Sequence, residues 1–476
     1  MRKDSQEGET RFKRRLVLAV RMVTVAISFA FVMLAWYDHP VLGGGEGFGW
    51  SQGVFVTVAL VTGAFSFAPL DWNARALTVL VSVCLTLVAA ELVLRHVLGP
   101  QFYMPFQLDD RLLYKLTPGA QRVYTRSSSN GSLRIPYEIN SRGFRGKELT
   151  QPGESLRVAV FGDSFIHAEY SRTDDTFTER LSAHLARRLG KSVEVVNAGV
   201  AGYGPDQELR RMEDELPILK PDLVIVAIYA GNDFGDLVRD KLYWLSSEGS
   251  LRENTSVLID ESFAREAAKE RSEAILKKML RNSWNQLRVN PNQIFPFGRE
   301  ARHKRVETYL TQAVSEYRQY VVEGDKVVRE LYKDTYNADV SLTPESESAR
   351  YKVLMMEQII ARMHLTAAAQ HVPLLFVLIP SPVDIVAEHE AGEVDSVRYP
   401  KYRRSALTDI LEQTCQRNQF PAVNLFGPFW ERGARELYLK GGDEHWNEHG
   451  QDFAAELVSN FVIAQGLLRT KNSGPP

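Results

Sequence analysis

Ser164 has the residue type and the sequence position of a catalytic nucleophile. It closes the tripeptide Gly162-Asp163-Ser164, which directly follows the apolar run from Arg157 to Phe161. The run predicts a buried strand, and open α/β sheets bind their ligands at the carboxyl ends of such strands. A Gly-Asp-Ser tripeptide alone is also a common turn sequence, so its assignment depends on segments later in the chain.

Three later segments supply the other groups that acyl-transfer chemistry needs. The glycine-rich turn from Asn197 to Gly204 can bring backbone N–H groups close to a substrate oxygen. Asn232, in Gly231-Asn232-Asp233, carries a neutral carboxamide that can donate to a developing oxyanion. His445 follows Asp443 by two residues, which supplies a general base and a carboxylate to orient it.

All four segments, in this order across residues 157 to 465, resemble the signature segments of the SGNH, or GDSL, hydrolase superfamily. The resemblance implies a three-layer α/β/α, flavodoxin-like domain with a parallel sheet. It also implies that Ser164 is the nucleophile and contributes its N–H to the oxyanion hole, together with the N–H of Gly202 and the side chain of Asn232. His445 is then the general base and Asp443 holds its imidazole, although many members place the aspartate three residues before the histidine.

The segment from Asn140 to Gly146 also resembles a segment that precedes this domain in many bacterial membrane-linked relatives. This resemblance implies that the region preceding the domain packs on its core. We therefore expect a connector with a few short strands over residues 99–156 and a hydrolase domain over residues 157–470.

A zinc site is the competing interpretation of the histidine segment. Residues 445–449 match H-x-x-E-H, the inverted zinc-protease motif, which needs His445 and His449 on one helical face. Asn447 is a better helix N-cap than a mid-helix residue, and Gly450 weakens the helical turn that a metal pair requires. The sequence offers no evident third ligand, so we expect neither a metal nor another cofactor.

Two aromatic side chains near the proposed site have alternative roles. His167, three residues after Ser164, is either a second candidate base in the pocket or a residue at the start of a helix near the rim, and we favour the rim. Trp446 either packs beneath the histidine loop or stacks on a sugar, and we favour packing.

Short β-rich apolar runs alternate with helical patterns after residue 156, which indicates βαβ units and a parallel sheet sandwiched by helices. The predicted strands are Arg157 to Phe161, Val193 to Val196, Leu223 to Tyr229, Leu374 to Ile379 and Ala422 to Phe426. The predicted helices are one that opens at Thr176 with Glu179 in a capping box, and those over Gln207 to Leu219, Ser346 to Gln370 and Ser405 to Arg417.

The stretch from Gly235 to Pro344 interrupts this alternation because it is polar, strongly charged and mostly helical in pattern. Its clearest helical segments are Ala264 to Arg281 and Arg302 to Tyr332. We interpret residues 235–344 as an insertion, a solvated helical elaboration rather than a dedicated substrate-binding lid.

Composition narrows the class of protein. The 476 residues carry a formal net charge of −2 and no basic stripe, so nucleic acid is not an expected partner. Cys84 lies in an apolar run and Cys415 in a distant polar segment, so we expect no disulfide framework.

Three apolar runs precede the connector and predict transmembrane helices: Leu16 to Tyr37, Val54 to Leu70 and Ala76 to Leu94, with a tight loop at Asp71 to Arg75 between the last two. The first run is too long for a signal peptide and lacks an A-x-A-like cleavage site. Glu91, near the end of the third run, is either functional or interfacial, and we favour the interface.

Basic residues are concentrated in the tail 1–15, whereas Asp38 to Gly53 contains no Lys or Arg. This asymmetry predicts a cytoplasmic N-terminus, a membrane region over residues 16–98 and, after three crossings, an extracytoplasmic catalytic domain on a bacterial inner membrane.

The expected activity is therefore that of a membrane-anchored serine esterase or acylhydrolase. Its location favours O-acylated envelope or exported glycans, with lipid esters as an alternative, and association with envelope polysaccharide machinery. A polysaccharide O-acyltransferase would use the same acyl-enzyme, because water and a sugar hydroxyl compete for it. A non-catalytic glycan-binding or assembly component is the alternative from another class, and an intact Ser164, Asn232 and His445 set counts against it.

Overall fold

The computed structural model describes residues 2–36, 50–102, 106–128, 131–151, 153–260, 274–277, 298–329, 331 and 335–468. The chain divides into two compact units. The first contains residues 1–104 and 264–288, and the second contains residues 105–263 and 289–476. Every candidate catalytic residue lies in the second unit.

The first unit contains the helices α1 (Arg2–Trp36), α2 (Trp50–Phe65) and α3 (Leu70–Phe102). Two segments are long and apolar enough to cross a membrane, Arg11–Met33 and Thr78–His96. The apolar part of α2, Phe55–Phe65, is shorter. The 16 residues of α2 extend about 24 Å, against a hydrocarbon core of about 30 Å. Instead of three predicted spans, the described residues contain two clear candidates and one short apolar helix.

The turn between α2 and α3 lies earlier than predicted. We expected a loop at Asp71 to Arg75, but these residues lie in the first turns of α3, and the turn occupies residues 66–69. Pro69 explains the difference, because a proline disfavours helical backbone at the residue before it. The helical pattern therefore stops before Pro69 and restarts directly after it.

Glu91 has a structural role within the first unit. Its carboxylate accepts hydrogen bonds from the backbone N–H groups of Ile275 at 2.9 Å and Leu276 at 3.1 Å. It also pairs with Arg95 at 2.7 Å, one helical turn further along α3. The side chain thus joins residues 275–276 to α3.

The second unit begins with two antiparallel strand pairs. They are formed by β1 (Phe106–Asp109) with β2 (Leu113–Leu116), and by β3 (Gln121–Ser128) with β4 (Gly131–Glu138). Tyr114 on β2 donates its hydroxyl to the Ala201 carbonyl at 2.8 Å, and Tyr203 donates to the Tyr114 carbonyl at 2.5 Å. These bonds attach the paired strands to a loop of the central sheet.

The central sheet has five parallel strands, as predicted. The strands that follow β4 in the chain are β5 (Leu156–Phe161), β6 (Val193–Asn197), β7 (Leu223–Tyr229), β8 (Tyr243–Leu245), β9 (Leu251–Glu253), β10 (Leu258–Ile259), β11 (Val327–Val328), β12 (Leu374–Ile379) and β13 (Ala422–Asn424). Of these, β8 to β11 form two separate pairs outside the central sheet. The order in the sheet is β13-β12-β7-β5-β6. Its strands match the predicted runs to within two residues, because fully buried strands read as continuous apolar runs.

The helices of the second unit are α4 (Ser164–His167), α5 (Phe177–Leu189), α6 (Pro205–Leu219), α7 (Asp233–Arg239), α8 (Arg299–Tyr317), α9 (Ala338–Leu342), α10 (Glu347–Ala369), α11 (Pro382–Ile385), α12 (Ala406–Arg417), α13 (Phe426–Arg432) and α14 (Glu448–Ala464). Of these, α5 and α14 cover one face of the sheet, and α6, α10 and α12 cover the other. Thr176 and Ser346 cap α5 and α10 through their side chains. The capping box predicted for α5 is present only in its Thr176 half, because the Thr176 N–H donates to the Thr173 carbonyl instead of to Glu179.

Alternation along β5 divides the core into two layers. Val158 and Val160 pack on the side of α5 and α14, whereas Ala159 and Phe161 pack on the side of α6, α10 and α12. Both sets are fully buried. Side chains on a strand alternate between its faces, so one strand of this composition must be covered by helices on both sides. This is the α/β/α sandwich that the sequence predicts.

The insertion differs from its prediction in two ways. It contains the short strands β8 to β11 besides helix, and the helix predicted over Arg302 to Tyr332 ends as an α-helix at Tyr317. Residues 318–322 continue as a π-helix, and Gly324, with φ of +71°, reverses the chain before β11. The helix predicted over Ala264 to Arg281 lies outside the described residues except for 274–277.

Candidate active site

Ser164 lies at a sharp strand-to-helix turn at the carboxyl edge of the sheet. Strand β5 ends at Phe161, and Ser164 is the first residue of α4. The turn is fixed by Asp163, whose side chain caps α4 by accepting the Phe165 N–H at 2.9 Å. Ser164 keeps 8% of its surface exposed, whereas Asp163 is fully buried.

The glycine-rich loop after β6 lies beside the serine turn. The N–H of Val200 donates to the Gly162 carbonyl at 3.0 Å, which extends the β5–β6 pairing beyond the strands. Gly202 adopts φ of +77°, which favours glycine at the point where the loop turns towards α6. Within the described part of the chain, the backbone N–H groups of Ser164 and Gly202 donate to no acceptor. Both are therefore available to an oxyanion.

Asn232 lies at the equivalent point after β7. An added Cβ on Gly231 would lie 2.2 Å from the Tyr229 ring, so only glycine fits where the chain leaves the strand. Asn232 then begins α7, its carbonyl accepting the Gly235 N–H at 2.8 Å, and it is 2% exposed. The next residue, Asp233, accepts the Tyr229 N–H at 2.7 Å and closes the turn.

Asp443 and His445 contact each other directly despite their short spacing. The His445 ring Nδ1 lies 2.8 Å from Asp443 Oδ1, and the His445 backbone N–H donates to the same oxygen at 2.9 Å. Burial would raise the pKa of Asp443, but these hydrogen bonds, the His445 charge and Arg126 outweigh burial and lower that pKa. An ionised Asp443 beside Nδ1 favours the tautomer in which Nδ1 carries the proton and Nε2 carries the lone pair that can accept one.

Aromatic packing connects the histidine loop to the serine turn. The His445 ring lies 5.3 Å from the ring of Phe165, the residue after Ser164, and 5.5 Å from that of Tyr170. Trp446 is 1% exposed and packs on Phe165 at 5.0 Å, which confirms packing rather than sugar stacking as its role. The fold thus brings together segments that lie about 280 residues apart in sequence.

His167 does not lie near the rim, and the prediction that placed it there is wrong. It is fully buried, with Nε2 2.8 Å from the Tyr137 hydroxyl and Nδ1 3.2 Å from the Gly199 carbonyl. Burial, followed by the Arg145 charge, lowers the pKa of His167 to about 3. Both ring nitrogens are occupied, so His167 is a structural residue and not a second base.

The zinc interpretation of residues 445–449 does not fit the structure. Asn447 caps α14, its side chain accepting the N–H groups of His449 at 2.9 Å and Gly450 at 3.0 Å. His445 therefore precedes the helix and His449 lies within it, so the two rings do not share a helical face. The cap agrees with the preference of asparagine for this position.

Arg126 and Tyr170 are site residues that the sequence patterns did not indicate. Arg126, on β3, donates to the Tyr170 carbonyl at 2.8 Å and to Glu448 Oε1 at 2.5 Å. It therefore lies beside the histidine loop although it comes from the connector. A lone arginine in an alternating segment carries no signal of such a role, because the contact depends on how β3 and β4 pack.

Comparisons with solved structures find similarities to several hydrolases. A lipase/acylhydrolase from Enterococcus faecalis is 14% identical with a TM-score of 0.31, over 67% of this chain and 99% of that one. A GDSL-like lipase from Bacteroides thetaiotaomicron is 14% identical with a TM-score of 0.31, over 67% and 93%. An acetylxylan esterase from Geobacillus stearothermophilus, solved as a catalytic mutant, is 12% identical with a TM-score of 0.33, over 68% and 100%. No curated protein sequence matches the chain.

A family match identifies the enzyme class. Residues 160–342 match the GDSL-like lipase/acylhydrolase family, and this stretch contains Ser164, Gly202 and Asn232 at three successive strand ends. His445 and Asp443 lie beyond the matched stretch. Residues 160–342 thus belong to the GDSL-like lipase/acylhydrolase family, and the chain contains a serine hydrolase domain of the SGNH type.

Proposed function

We propose that the chain is a membrane-anchored, extracytoplasmic serine esterase that acts on O-acylated glycans, with lipid esters as the second substrate class. The observation that carries the proposal is the 2.8 Å contact between Asp443 and His445, on a loop whose imidazole packs against the residue following Ser164. This arrangement provides a nucleophile, a base and a group that orients the base.

In the first step, His445 Nε2 takes the proton of Ser164 as its Oγ attacks the ester carbonyl. The negative charge that develops on the carbonyl oxygen is held by the N–H groups of Ser164 and Gly202 and by the Asn232 carboxamide. The imidazolium then gives its proton to the leaving alkoxide, and an acyl-Ser164 enzyme remains. Water attacks this ester with His445 again as base, and release of the acid regenerates the serine.

The substrate class rests on the anchor. The two apolar segments suit attachment to a bilayer, and the basic residues before the first one favour a cytoplasmic N-terminus. An esterase tethered outside the cytoplasm meets acylated envelope or exported polysaccharide and membrane lipid esters. Nothing in the proposed chemistry requires a cofactor.

Labelling with a fluorophosphonate probe tests the proposal, because the probe reacts only with an activated serine in a folded site. We expect the full-length protein to be labelled, Ser164→Ala to be unlabelled, and Ser155→Ala, a matched control outside the site, to be labelled like the unmodified protein. If the folded protein forms no adduct on Ser164, the result would instead favour a non-catalytic glycan-binding or assembly component.

Product analysis separates hydrolysis from acyl transfer. The full-length protein is incubated with an acylated donor and a glycan acceptor, and free acid and esterified acceptor are quantified. Free acid as the sole product supports the esterase. Esterified glycan that requires Ser164 would instead assign an O-acyltransferase.

A further inference from the structure

Six carboxyl side chains are buried beneath the three loops that form the proposed oxyanion hole. Each is at most 5% exposed. One follows β5, two lie in the first turns of α6, and three lie on one face of α7 and its C-cap. Together they form the buried carboxyl cluster: Asp163, Asp206, Glu208, Asp233, Asp236 and Asp240.

The cluster is continuous with the site in sequence. Asp163 precedes Ser164, Asp233 follows Asn232, and Glu208 lies six residues after Gly202. Gly204 marks where two of the loops meet: an added Cβ there would lie 3.0 Å from Asp240 Oδ2 and 3.1 Å from Asp206 Oδ1. A displacement of the cluster would therefore displace the loops that carry the oxyanion donors.

Among the described residues, the cations closest to these acids also pair with other carboxylates. Arg239 pairs with Asp236 and also with Glu316 of α8, at 3.2 Å in the latter case. On α10, Lys352 is used by Asp339 at 2.7 Å. The charge of Arg210 acts on Asp206, but its guanidinium also pairs with Glu253 at 3.1 Å. The amino ends of α6 and α7 add only partial positive charge.

Glu208 is the member with the poorest environment for a negative charge. It is 1% exposed, and no N–H or O–H donor of the described residues reaches either of its carboxyl oxygens. The charges that act on it are those of Asp163, Asp206 and Asp236, all negative. Burial, followed by these neighbours, raises the pKa of Glu208 well above its ordinary value.

Other members show the same pattern. The side chains of Asp206 and Asp240 interact, and two neighbouring buried carboxyl groups are stabilised when one of them keeps a proton. Burial raises the pKa of Asp206 to about 7. The described residues contain no group of carboxylates that could hold a metal ion.

We propose that Glu208 is a positioning residue for ester hydrolysis: its protonated carboxyl group joins the carboxyl cluster that fixes the Ser164, Gly202 and Asn232 loops. The inference rests on the proposed function. Ionisation of the cluster at alkaline pH then places several negative charges behind the oxyanion hole, where they repel one another and oppose the oxyanion.

The sign of the pH effect follows from linkage. The pKa values of Glu208, Asp206, Asp233 and Asp240 are raised by folding, so the folded chain binds more protons than the unfolded chain above pH 4 to 5. The stability that these bound protons contribute is complete below the pKa values of the unfolded state, and it is lost as the pH rises through the pKa values of the folded state.

The test measures kcat and KM for p-nitrophenyl acetate with the detergent-solubilised full-length protein from pH 6 to 10, and the rate of Ser164→Ala is subtracted as background. Thermal unfolding is followed over the same pH range. We expect kcat of the unmodified enzyme to fall reversibly by about tenfold towards alkaline pH, with little change in KM. A tenfold fall is what ionisation of one group gives over about one pH unit above its pKa. Glu208→Gln keeps a neutral hydrogen-bonding side chain and should stay within about twofold over this range.

Glu213→Gln is the matched control, because Glu213 lies on the same helix but pairs with Arg111 and Arg362 at the surface. It should follow the unmodified enzyme at every pH. Asp240→Asn, which removes the acid that interacts with Asp206, is a second variant and should also extend activity to alkaline pH.

The proposal is overturned if neither Glu208→Gln nor Asp240→Asn changes the alkaline loss, or if Glu213→Gln changes it equally. A separate measurement keeps this result apart from the esterase assignment. If the unmodified enzyme is labelled on Ser164 at pH 7 but both variants keep the same alkaline loss of activity, only the role of Glu208 is contradicted. Unmodified enzyme without label contradicts the proposed function itself.

Discussion

Two histidines lie close to Ser164, and their environments are opposite. His445 keeps 18% of its side chain exposed and has Asp443 at one ring nitrogen, whereas His167 is fully buried with both nitrogens occupied. A general base must exchange protons with substrate and solvent, so only the first environment suits one. Proximity in sequence to the serine is therefore a poor guide to which histidine acts.

Asn232 gives a prediction at the same scale. We expect Asn232→Ala to lower kcat by about 10² to 10³, equivalent to roughly 3 to 4 kcal/mol, because one oxyanion donor is lost. Steady-state hydrolysis of a p-nitrophenyl ester measures the effect. Thermal unfolding should change little, since the Asn232 side chain does not cap α7.

Asn337→Ala is the control for this substitution. Its carboxamide contacts the same turn from another element, donating to the Ala230 carbonyl at 3.3 Å, but we assign it no part in the chemistry. Near-normal turnover by Asn232→Ala, measured beside an inactive Ser164→Ala, would remove Asn232 from the oxyanion hole.

At the scale of elements, the β3–β4 pair holds the histidine loop in place. Arg126 bonds to the carbonyl of Tyr170, whose ring contacts His445, and to Glu448 in the first turn of α14. Its charge also contributes to the low pKa of Asp443. A strand pair that precedes the hydrolase fold in the chain thus adjusts the electrostatics of the catalytic loop.

Arg126→Ala should therefore move the acid limb of the activity profile to higher pH. Without the guanidinium the pKa of Asp443 rises, and protonated Asp443 no longer orients His445. We expect a shift of about half a pH unit, the size that a partly exposed ion pair worth about 0.7 kcal/mol produces. The measurement is kcat/KM from pH 4 to 7.

Arg122→Ala serves as the control on the same strand, because Arg122 lies over the Tyr124 ring rather than against the histidine loop. An acid limb that stays in place in Arg126→Ala, or that moves equally in Arg122→Ala, would show that Arg126 does not act through Asp443.

The elements differ in how far the sequence determines them. Strand β7, for example, was predictable because all seven of its residues are buried and therefore form an uninterrupted apolar run. The capping of α14 by Asn447 was predictable because capping is local. The carboxyl cluster was not, since Asp163, Glu208 and Asp233 meet only when three loops converge. The spacing of Asp233, Asp236 and Asp240 on one helical face was its single sequence signal.

At the scale of the whole molecule, the number of membrane crossings decides which compartment contains the active site. An odd number places the catalytic domain opposite the N-terminus, and an even number places both on the same side. The short helix α2 is therefore the element on which the proposed location depends. Its 16 residues need local thinning of the bilayer to cross it.

Cysteine labelling can determine the crossing number. In a background with Cys84→Ser and Cys415→Ser, Lys191→Cys is placed on the exposed surface of the catalytic domain. Lys13→Cys is its control, because Lys13 lies in the basic tail before the apolar run predicted over Leu16 to Tyr37. We expect a membrane-impermeant maleimide to label Lys191→Cys but not Lys13→Cys in right-side-out spheroplasts. Labelling of neither site until the cells are lysed would place the catalytic domain in the cytoplasm.

Arg145 has a consequence for how a soluble enzyme can be obtained. Its buried guanidinium donates to the carbonyls of His167, Ala168 and Ser171, the last at 2.6 Å. A fragment cut at Leu156, just before the first strand of the sheet, would remove the Arg145 guanidinium from these carbonyls and Tyr137 from His167. An excised, anchor-free enzyme should therefore begin by Phe106, some fifty residues before the recognisable hydrolase motif starts.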